Sequence, residues 1–478
     1  MSYVRLASSI LCVSILIGCS EVPIYKMPTI PAPAAYKGET AIWQPAQPAD
    51  KLPRGDWWRA YKDSTLDNLV VRLDTANADL AAAMAHFGQA TAYAIQARAG
   101  YFPTVSAGSY VTRNGQSQNR ALRSKTQPDV YGDDFIGLMA NYEVDLWGHV
   151  RNQVAAGEAG AQAAAADLES VRLSLRAELT NDYLALRMLD TQSKLMSDEI
   201  DAYTKALELT QNRFRGGIDS AMDVSRAKVQ LETAKAKISD IAASRALYEH
   251  AIATLIGESA SGFSIAPAVV DIQLPAIPVG VPATLLQRRP DIAAAERRLA
   301  EANARIGMVK AAFFPSVNLT AAAGYESTYQ SAWLTAPNLF WSIGPSALLT
   351  IFDAGRREAV VAQADTAFNV AGAQYRSTVL HAFQEVEDNL SLLNDLSKES
   401  LALADAVADT RHTLEIAMNR YREGIASYLE VVTAQASAQQ VQLDELSLRR
   451  RKLQASVNLI RALGGGWDST LLVSRTDE

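Results

Sequence analysis

The sequence is written twice, and that constrains its fold more than any other feature. Ala99-Gly100-Tyr101-Phe102-Pro103-Thr104-Val105 recurs as Ala311-Ala312-Phe313-Phe314-Pro315-Ser316-Val317. Asp145-Leu146-Trp147-Gly148 answers to Asp353-Ala354-Gly355, and Asn212-Arg213-Phe214-Arg215 with Gly217 to Asn419-Arg420-Tyr421-Arg422 with Gly424. Three anchors in one order, about 207–212 residues apart, mark a duplicated unit rather than chance similarity. Each half predicts a helix of roughly 30–40 residues, an aromatic-Pro step and two short alternating segments. A very long helical run, a glycine turn and a second helix of about 38 residues follow. The divisions are residues 64–257 for the first repeat, 258–283 for a Pro-, Gly- and Val-rich linker, 284–466 for the second repeat and 467–478 for a tail.

The short segments alternate with period two. In the second, Ile136, Leu138, Ala140, Tyr142, Val144 and Leu146 are apolar, against Gly137, Met139, Asn141, Glu143 and Asp145. In the third, Val317, Leu319, Ala321, Ala323 and Tyr325 alternate with Ser316, Asn318, Thr320, Ala322 and Gly324. Trp341 to Ile351 follows the same rule, and Thr104 to Arg113 follows it more weakly. One apolar face per segment means half-buried strands. Runs of about 11–12 residues, tilted by about 45°, span roughly 25–28 Å, the apolar height of a membrane β-barrel. Tyr101, Phe102, Trp147, Phe313, Phe314 and Phe352 read as one aromatic rim. Phe135, Tyr325, Tyr329, Trp333, Phe340 and Trp341 read as the other. The other reading is a soluble antiparallel sheet whose apolar face is covered by helices.

Four strands cannot close a barrel, and a sheet edge left open in hydrocarbon strands backbone groups at several kcal/mol each. If the strands lie in lipid, the chain therefore oligomerises, two copies giving 8 strands and three giving 12.

From His149 to Phe214 there is no proline, and the run from Arg356 to Arg422 is as long; each corresponds to about 100 Å of helix. Leu186, Leu189, Ser193, Met196, Ile200, Tyr203 and Leu207 form a 3/4-spaced seam, the mark of coiled-coil packing. Shorter helices are expected near Thr65–Gly100 and Ala221–Ile256, flanking the long ones. Helices of this length suit a wall of a tube better than a globular bundle.

At the N-terminus, Leu6 to Ile17 is an apolar run of 12 residues ending in Leu16-Ile17-Gly18-Cys19. It is too short to span a bilayer and reads as a signal-peptide core, so residues 1–18 form a leader. Residues 20–56 carry seven prolines and read as extended, so 19–63 forms an extended N-terminal segment. The only other cysteine, Cys12, lies in the leader, so no disulfide is expected in the mature chain.

Composition excludes several classes. Apolar residues make up 49% and charged residues 20%, and no apolar stretch reaches 18 residues, so neither disorder nor a polytopic helical membrane protein fits. The net charge of −7 without a strong basic patch argues against nucleic acid. His86, His149, His250, His381 and His412 lack metal-ligand spacing. No phosphate loop, dinucleotide fingerprint or nucleophile elbow is present, so no metal, cofactor or enzymatic activity is expected.

Gly55-Asp56-Trp57-Trp58, Tyr142-Glu143-Val144-Asp145-Leu146-Trp147-Gly148, the run LLQRRPDIAAAE at 285–296, AAFFPSVNLT at 311–320 and FDAGRR at 352–357 together resemble the TolC-type outer-membrane efflux proteins, in their OprM-like (NodT-type) lipoprotein branch. The closing Gly18-Cys19 resembles a lipobox, which implies acylation of Cys19; Ser20 after it, rather than Asp, favours the outer membrane. The resemblance implies a mostly α, internally duplicated fold with a membrane β-barrel portion. It would be a homotrimer with a 12-stranded β-barrel in outer-membrane lipid and a long α-helical barrel in the periplasm. The partners it implies are a periplasmic adaptor (membrane fusion) protein and an inner-membrane pump of the resistance-nodulation-division class. The function it implies is a passive exit duct for drugs or other small toxic compounds. The same duct could serve metal-ion efflux or type I protein secretion, and a structural envelope lipoprotein without a pore is the reading from another class.

Site residues follow. The turns Arg215-Gly216-Gly217 and Arg422-Glu423-Gly424 join helix pairs, and the resemblance places adaptor contacts beside them. It also places Asp223, Glu430 and Thr433 near a closed periplasmic aperture. Thr433 departs from the second acidic residue found in some members, which weakens a double acidic ring. Solvated surface acids are the alternative. Asn141, Glu143 and Asp145, on the polar side of the second strand, are expected to face the barrel lumen, and Asp353 to sit near the junction of strands and helix.

Overall fold

The computed structural model of the chain describes residues 25–26, 55–121, 124, 126–277, 288–329 and 333–466. The leader, Cys19, residues 278–283 of the linker and the tail 467–478 lie outside the described residues.

Each repeat delivers two strands and two tip-joined helices. The first contains α1 (Ser64–Ala76), α2 (Ala78–Arg98), β1 (Thr104–Gly115), β2 (Val130–Glu143), α3 (His149–Arg215) and α4 (Ala221–Leu255). The second contains α5 (Pro290–Lys310), β3 (Ser316–Ser327), β4 (Leu339–Leu348), α6 (Arg356–Arg422) and α7 (Tyr428–Ala462). Helices α3 and α6 are each 67 residues long, as the absence of proline predicts. Among the described residues, no helix is long and apolar enough to cross a membrane.

One expected helix, near Thr65–Gly100, is broken. Asp63 caps α1 through Oδ1, which accepts from the Thr65 and Leu66 amides at 2.8 and 3.2 Å. Leu66, Leu69, Val70 and Leu73 form its buried stripe. At Asn77 the backbone turns extended (φ −69°, ψ 128°). The Asn77 side chain then starts α2 by accepting from the Leu80 amide at 2.8 Å, and ends α4 by donating to the Leu255 carbonyl at 2.8 Å. A buried amide satisfying two helix termini stabilises the break over a continuous helix. The second repeat's leading helix, α5, runs 21 residues from Pro290 to Lys310.

The chain divides into two compact units. The first comprises residues 1–29, 87–164 and 295–375. It holds an antiparallel sheet of order β1-β2-β3-β4. The register runs from Thr104↔Asn141 to Gly115↔Val130, from Asp134↔Ser327 to Glu143↔Asn318, and from Ser316↔Leu348 to Tyr325↔Leu339. One face is apolar and exposed: Val105, Ile136, Leu138, Leu319, Trp341 and Ile343 are 63%, 40%, 56%, 38%, 74% and 65% exposed. The opposite face carries Thr104, Ser106, Asn141, Glu143, Asn318, Thr320, Ser342 and Ser346. Among the described residues β1 and β4 have no outer strand partner. Here α2 packs on α3 through small residues: a Cβ on Gly157 would come within 3.2 Å of Ala94 Cα. Tyr25 donates to Glu296 Oε1 at 2.6 Å, fastening the N-terminal segment to α5.

Two rim assignments change. Phe135 and Phe340 lie at the height expected of a girdle but share a face with Asn141 rather than with Trp341, because they fall on the polar parity of their strands. The ladder also ends at Glu143, with one further hydrogen bond from Val144 N to Val317 O at 2.8 Å.

The second unit comprises residues 30–86, 165–294 and 376–478. The predicted seam is its core: Met196, Tyr203, Leu189, Ile200 and Leu207 pack on Leu231, Ala234, Ile238 and Ile241 of α4. A second cluster joins Val386, Leu390 and Leu393 of α6 to Ala455 and Leu459 of α7. Trp57, Trp58 and Tyr61 form a buried 3-10 turn, with the Arg176 guanidinium 4.7 Å over the Trp58 ring. The irregular stretch 258–277 is held by buried charge. Asp190 accepts from Arg187 at 3.0 Å, Arg245 at 2.7 Å and the Ala268 amide at 3.1 Å, while the two arginines donate onward to the Ala266 and Ile265 carbonyls.

Candidate functional site

Two groups of predicted residues can be built from the chain upward. At the helix tips, α3 and α6 end in the same hydrogen-bonded turn. Ile218 N donates to Arg213 O and Gly217 N to Phe214 O; Ile425 N donates to Arg420 O and Gly424 N to Tyr421 O. This is a Schellman end, which needs a left-handed residue at its fifth position. Gly217 (φ +75°) and Gly424 (φ +78°) supply it, whereas Gly216 is not left-handed. Arg213, Arg215, Arg420 and Arg422 crowd the last turns, where cations favour the carbonyl end of a helix. Arg422 also lines a groove of about 410 Å³ between α3 and α6, with Asp198, Asp201, Lys205, Leu209 and Met418.

The three aperture candidates have different surroundings. Asp223 closes a capping box: its carboxylate accepts from Ser220 Oγ at 2.6 Å and Ser220 N at 3.2 Å, and Arg226 lies 3.5 Å away. Glu430 is half exposed, 3.4 Å from Arg420 Nη1. Thr433 is exposed and donates to its own helix at Leu429 O, 2.8 Å. Asp223 and Glu430 hold matching positions after their turns, so the repeat places one carboxylate at each helix start, where the dipole favours it.

A network that sequence reasoning missed joins the repeats at this end. Tyr421 is 1% exposed; its hydroxyl donates to Asp219 Oδ2 at 2.5 Å and meets Thr210 Oγ1 at 3.0 Å. Arg213 donates to the same carboxylate at 3.0 Å and to the Tyr421 carbonyl at 2.9 Å, with its guanidinium 4.5 Å over the Tyr421 ring. Burial, then the Asp219 hydrogen bond, push the Tyr421 phenol up to about 12. The signal available was the difference between repeats: Phe214 and Asp219 in the first stand opposite Tyr421 and Ala426 in the second.

At the strand–helix junction, Glu143 and Asp145 separate in role. Asp145 lies beyond the end of β2, a correction to its expected place on the strand. Its carboxylate accepts from the Val150 and Arg151 amides at 3.1 and 2.9 Å and from Arg151 Nε at 3.1 Å. It thus satisfies free N–H groups of the first turn of α3, which holds it against the helix. Asp353 does the same for α6, accepting from Arg357 N at 3.2 Å and Nε at 2.7 Å. Glu143 remains on the polar face, opposite Asn318, with its Oε1 3.0 Å from His149 Nδ1. Asn141 stands opposite Thr104 and Thr320 on that face. Trp147 stacks on Phe314 (centroids 4.8 Å apart) and donates to the Pro315 carbonyl at 2.7 Å, tying the two repeats below the sheet.

A short meander with one exposed apolar face, one polar face and two bare edges, carried in one chain with two tip-joined pairs of long and shorter helices, defines a subunit of an outer-membrane channel. The chain belongs to the outer membrane efflux protein family, whose profile matches residues 69–258 and 281–465. It is 32% identical over 456 residues to the probable efflux pump outer membrane protein TtgC of Pseudomonas putida, covering 95% of this chain and 94% of that one. It is likewise 32% identical over 479 residues to the outer membrane protein OprJ of Pseudomonas aeruginosa, covering 98% of both. The structure of the outer-membrane channel OprN superimposes with a TM-score of 0.88 at 28% identity, over 94% of this chain and all of that one. The chain is the outer-membrane channel component of an efflux system, located in the outer membrane.

Proposed function

We propose that three copies pool their sheets into a 12-stranded barrel and form a passive duct that carries drugs or other small toxic compounds outward. The observation that carries this reading is the pair of bare edges on β1 and β4. In lipid their backbone groups find partners only in another copy, and closure removes both edges at once. Acylation of Cys19 would add an anchor, each buried CH₂ contributing about 0.8 kcal/mol. The duct performs no chemistry; its work is to hold an opening, while energy comes from an inner-membrane pump of the resistance-nodulation-division class. The arginine-rich tips and the mixed-charge groove beside Arg422 are the surface offered to a periplasmic adaptor, and Glu430 faces the aperture. Asn141 and Glu143, on the polar face of the sheet, line the lumen.

The test is the mass of the purified full-length protein in detergent by light scattering, with conductance in planar bilayers. A trimer that conducts supports the duct. A stable monomer, or a trimer that never conducts, refutes it.

A further inference from the structure

One level of the sheet's polar face is not polar. Tyr110 on β1 stacks on Phe135 of β2, with centroids 5.0 Å apart and planes 12° apart. Phe135 meets Phe340 of β4 at 5.7 Å and 38°. The rings spread across the strands as a shelf. Gly137 makes room for this: a Cβ there would come within 3.0 Å of Phe135 Cζ. Phe135 is 9% exposed in consequence, while Tyr110 keeps 45% of its surface open.

One carboxylate stands at this level and another at the next. Glu326 of β3 lies directly opposite Phe135 in the register, between Phe135 and the β4 strand that carries Phe340. Asp133 lies two residues before Phe135 on the same face of β2, opposite Thr112 of β1. Among the described residues neither carboxylate is in an ion pair. On one side the face continues as Thr112 and Asn114; on the other it passes through a mixed level of Ser106, Met139, Ala322 and Ser342 to Thr104 and Asn141, so an aromatic, negatively flanked patch stands between polar stretches of the wall.

Aromatic faces carry negative quadrupole density and attract cations lying over them, and flat rings stack on flat rings. A fixed carboxylate beside such rings adds attraction for positive charge and repels anions. We propose that the Tyr110–Phe135–Phe340 shelf, with Asp133 and Glu326, is a binding station on the channel wall for organic cations that carry an aromatic ring. An aliphatic cation forfeits the stacking, and an aromatic anion meets the carboxylates. The proposal rests on the duct reading above, which turns the polar face toward the lumen and repeats the shelf three times around it.

The experiment titrates ethidium into the purified full-length protein in detergent and follows its fluorescence anisotropy, with light scattering on the same samples. Glu326→Gln removes charge without changing shape, and Phe340→Leu removes a ring while keeping bulk. Each should raise the half-saturation concentration roughly threefold, the scale of one cation–ring or exposed charge contact. Tetrabutylammonium, which has no ring, should displace ethidium poorly. A trimer in which both variants bind ethidium as tightly as the parent overturns the shelf and leaves the duct standing. A monomer in the same detergent overturns the duct and the shelf with it.

Discussion

Replacing Asp190 by Asn should free the stretch 258–277 from the helices it lies on. The Asp190 side chain is 2% exposed and faces two arginines, Arg187 at 5% and Arg245 at 15% exposure. Asparagine keeps the shape but leaves two buried cations without their shared anion. Removing one partner of a buried pair typically costs about 3–5 kcal/mol. Here the lower end applies, because Arg187 keeps Tyr183 Oη at 2.9 Å and the Ala266 carbonyl, and Arg245 keeps Glu249 at 3.3 Å. A local loss of ~3 kcal/mol corresponds to amide exchange faster by on the order of a hundredfold. Hydrogen exchange read by mass spectrometry on the detergent-solubilised protein would show it in peptides covering Ile265 to Ala268, with the α6–α7 core unchanged. Equal exchange in parent and variant would show that the backbone contacts alone hold the strap and that the buried charge contributes nothing.

Other expectations follow from the same structure. Burial raises the Glu199 carboxyl to about 7, against a hydrogen bond from Gln439 that lowers it. The folded state thus holds that proton more tightly than the unfolded one, so Glu199 costs stability above about pH 7, and the cost fades as the pH falls toward 4.5. Glu199→Gln should raise the melting temperature at about pH 8 and leave it nearly unchanged near pH 4.5. Gly217→Ala meets open space and carries only left-handed strain, about 1 kcal/mol. Gly464→Ala would also put its Cβ 2.0 Å from the Arg288 carbonyl, so melting should fall well below that of Gly217→Ala. Glu430→Gln releases Arg420 and should change cation block in planar bilayers; identical current–voltage curves with and without divalent cations would place the aperture elsewhere.

How much of this was legible in the sequence depended on whether the cause was local. The bounds of α3 and α6 are legible to within a residue because both runs lack proline, and α3 also carries a 3.5-residue seam that fixes its buried stripe. The Asn77 break is not legible in the sequence, because the periodicity of α1 and α2 nearly continues across it and what decides it is a hydrogen bond to Leu255, remote in sequence. For Phe135 and Phe340 the girdle pattern fixes only height, whereas the alternation groups them with the polar side, and parity decides the face. Period two continues through Asp145 and places it on the strand, yet a free helix start competes for its carboxylate and wins. The Tyr421–Asp219–Arg213 network pairs residues some 200 positions apart and had only the mismatch between repeats to announce it.

The order of the meander has a consequence for how the protein is made. β2 and β3 are hydrogen-bonded neighbours, yet about 170 residues of helix, turn and linker separate Glu143 from Ser316. During export the first hairpin emerges with both margins bare and must wait for the rest of the first repeat, the linker and the opening helix of the second before its inner margin is matched. A chain cut short after the first repeat would carry the same apolar ribbon with nothing to complete it, a species suited to chaperone capture or degradation rather than insertion. Duplication thus places the two halves of one membrane ribbon far apart in the chain, so that its inner margin is matched only after both repeats are under way.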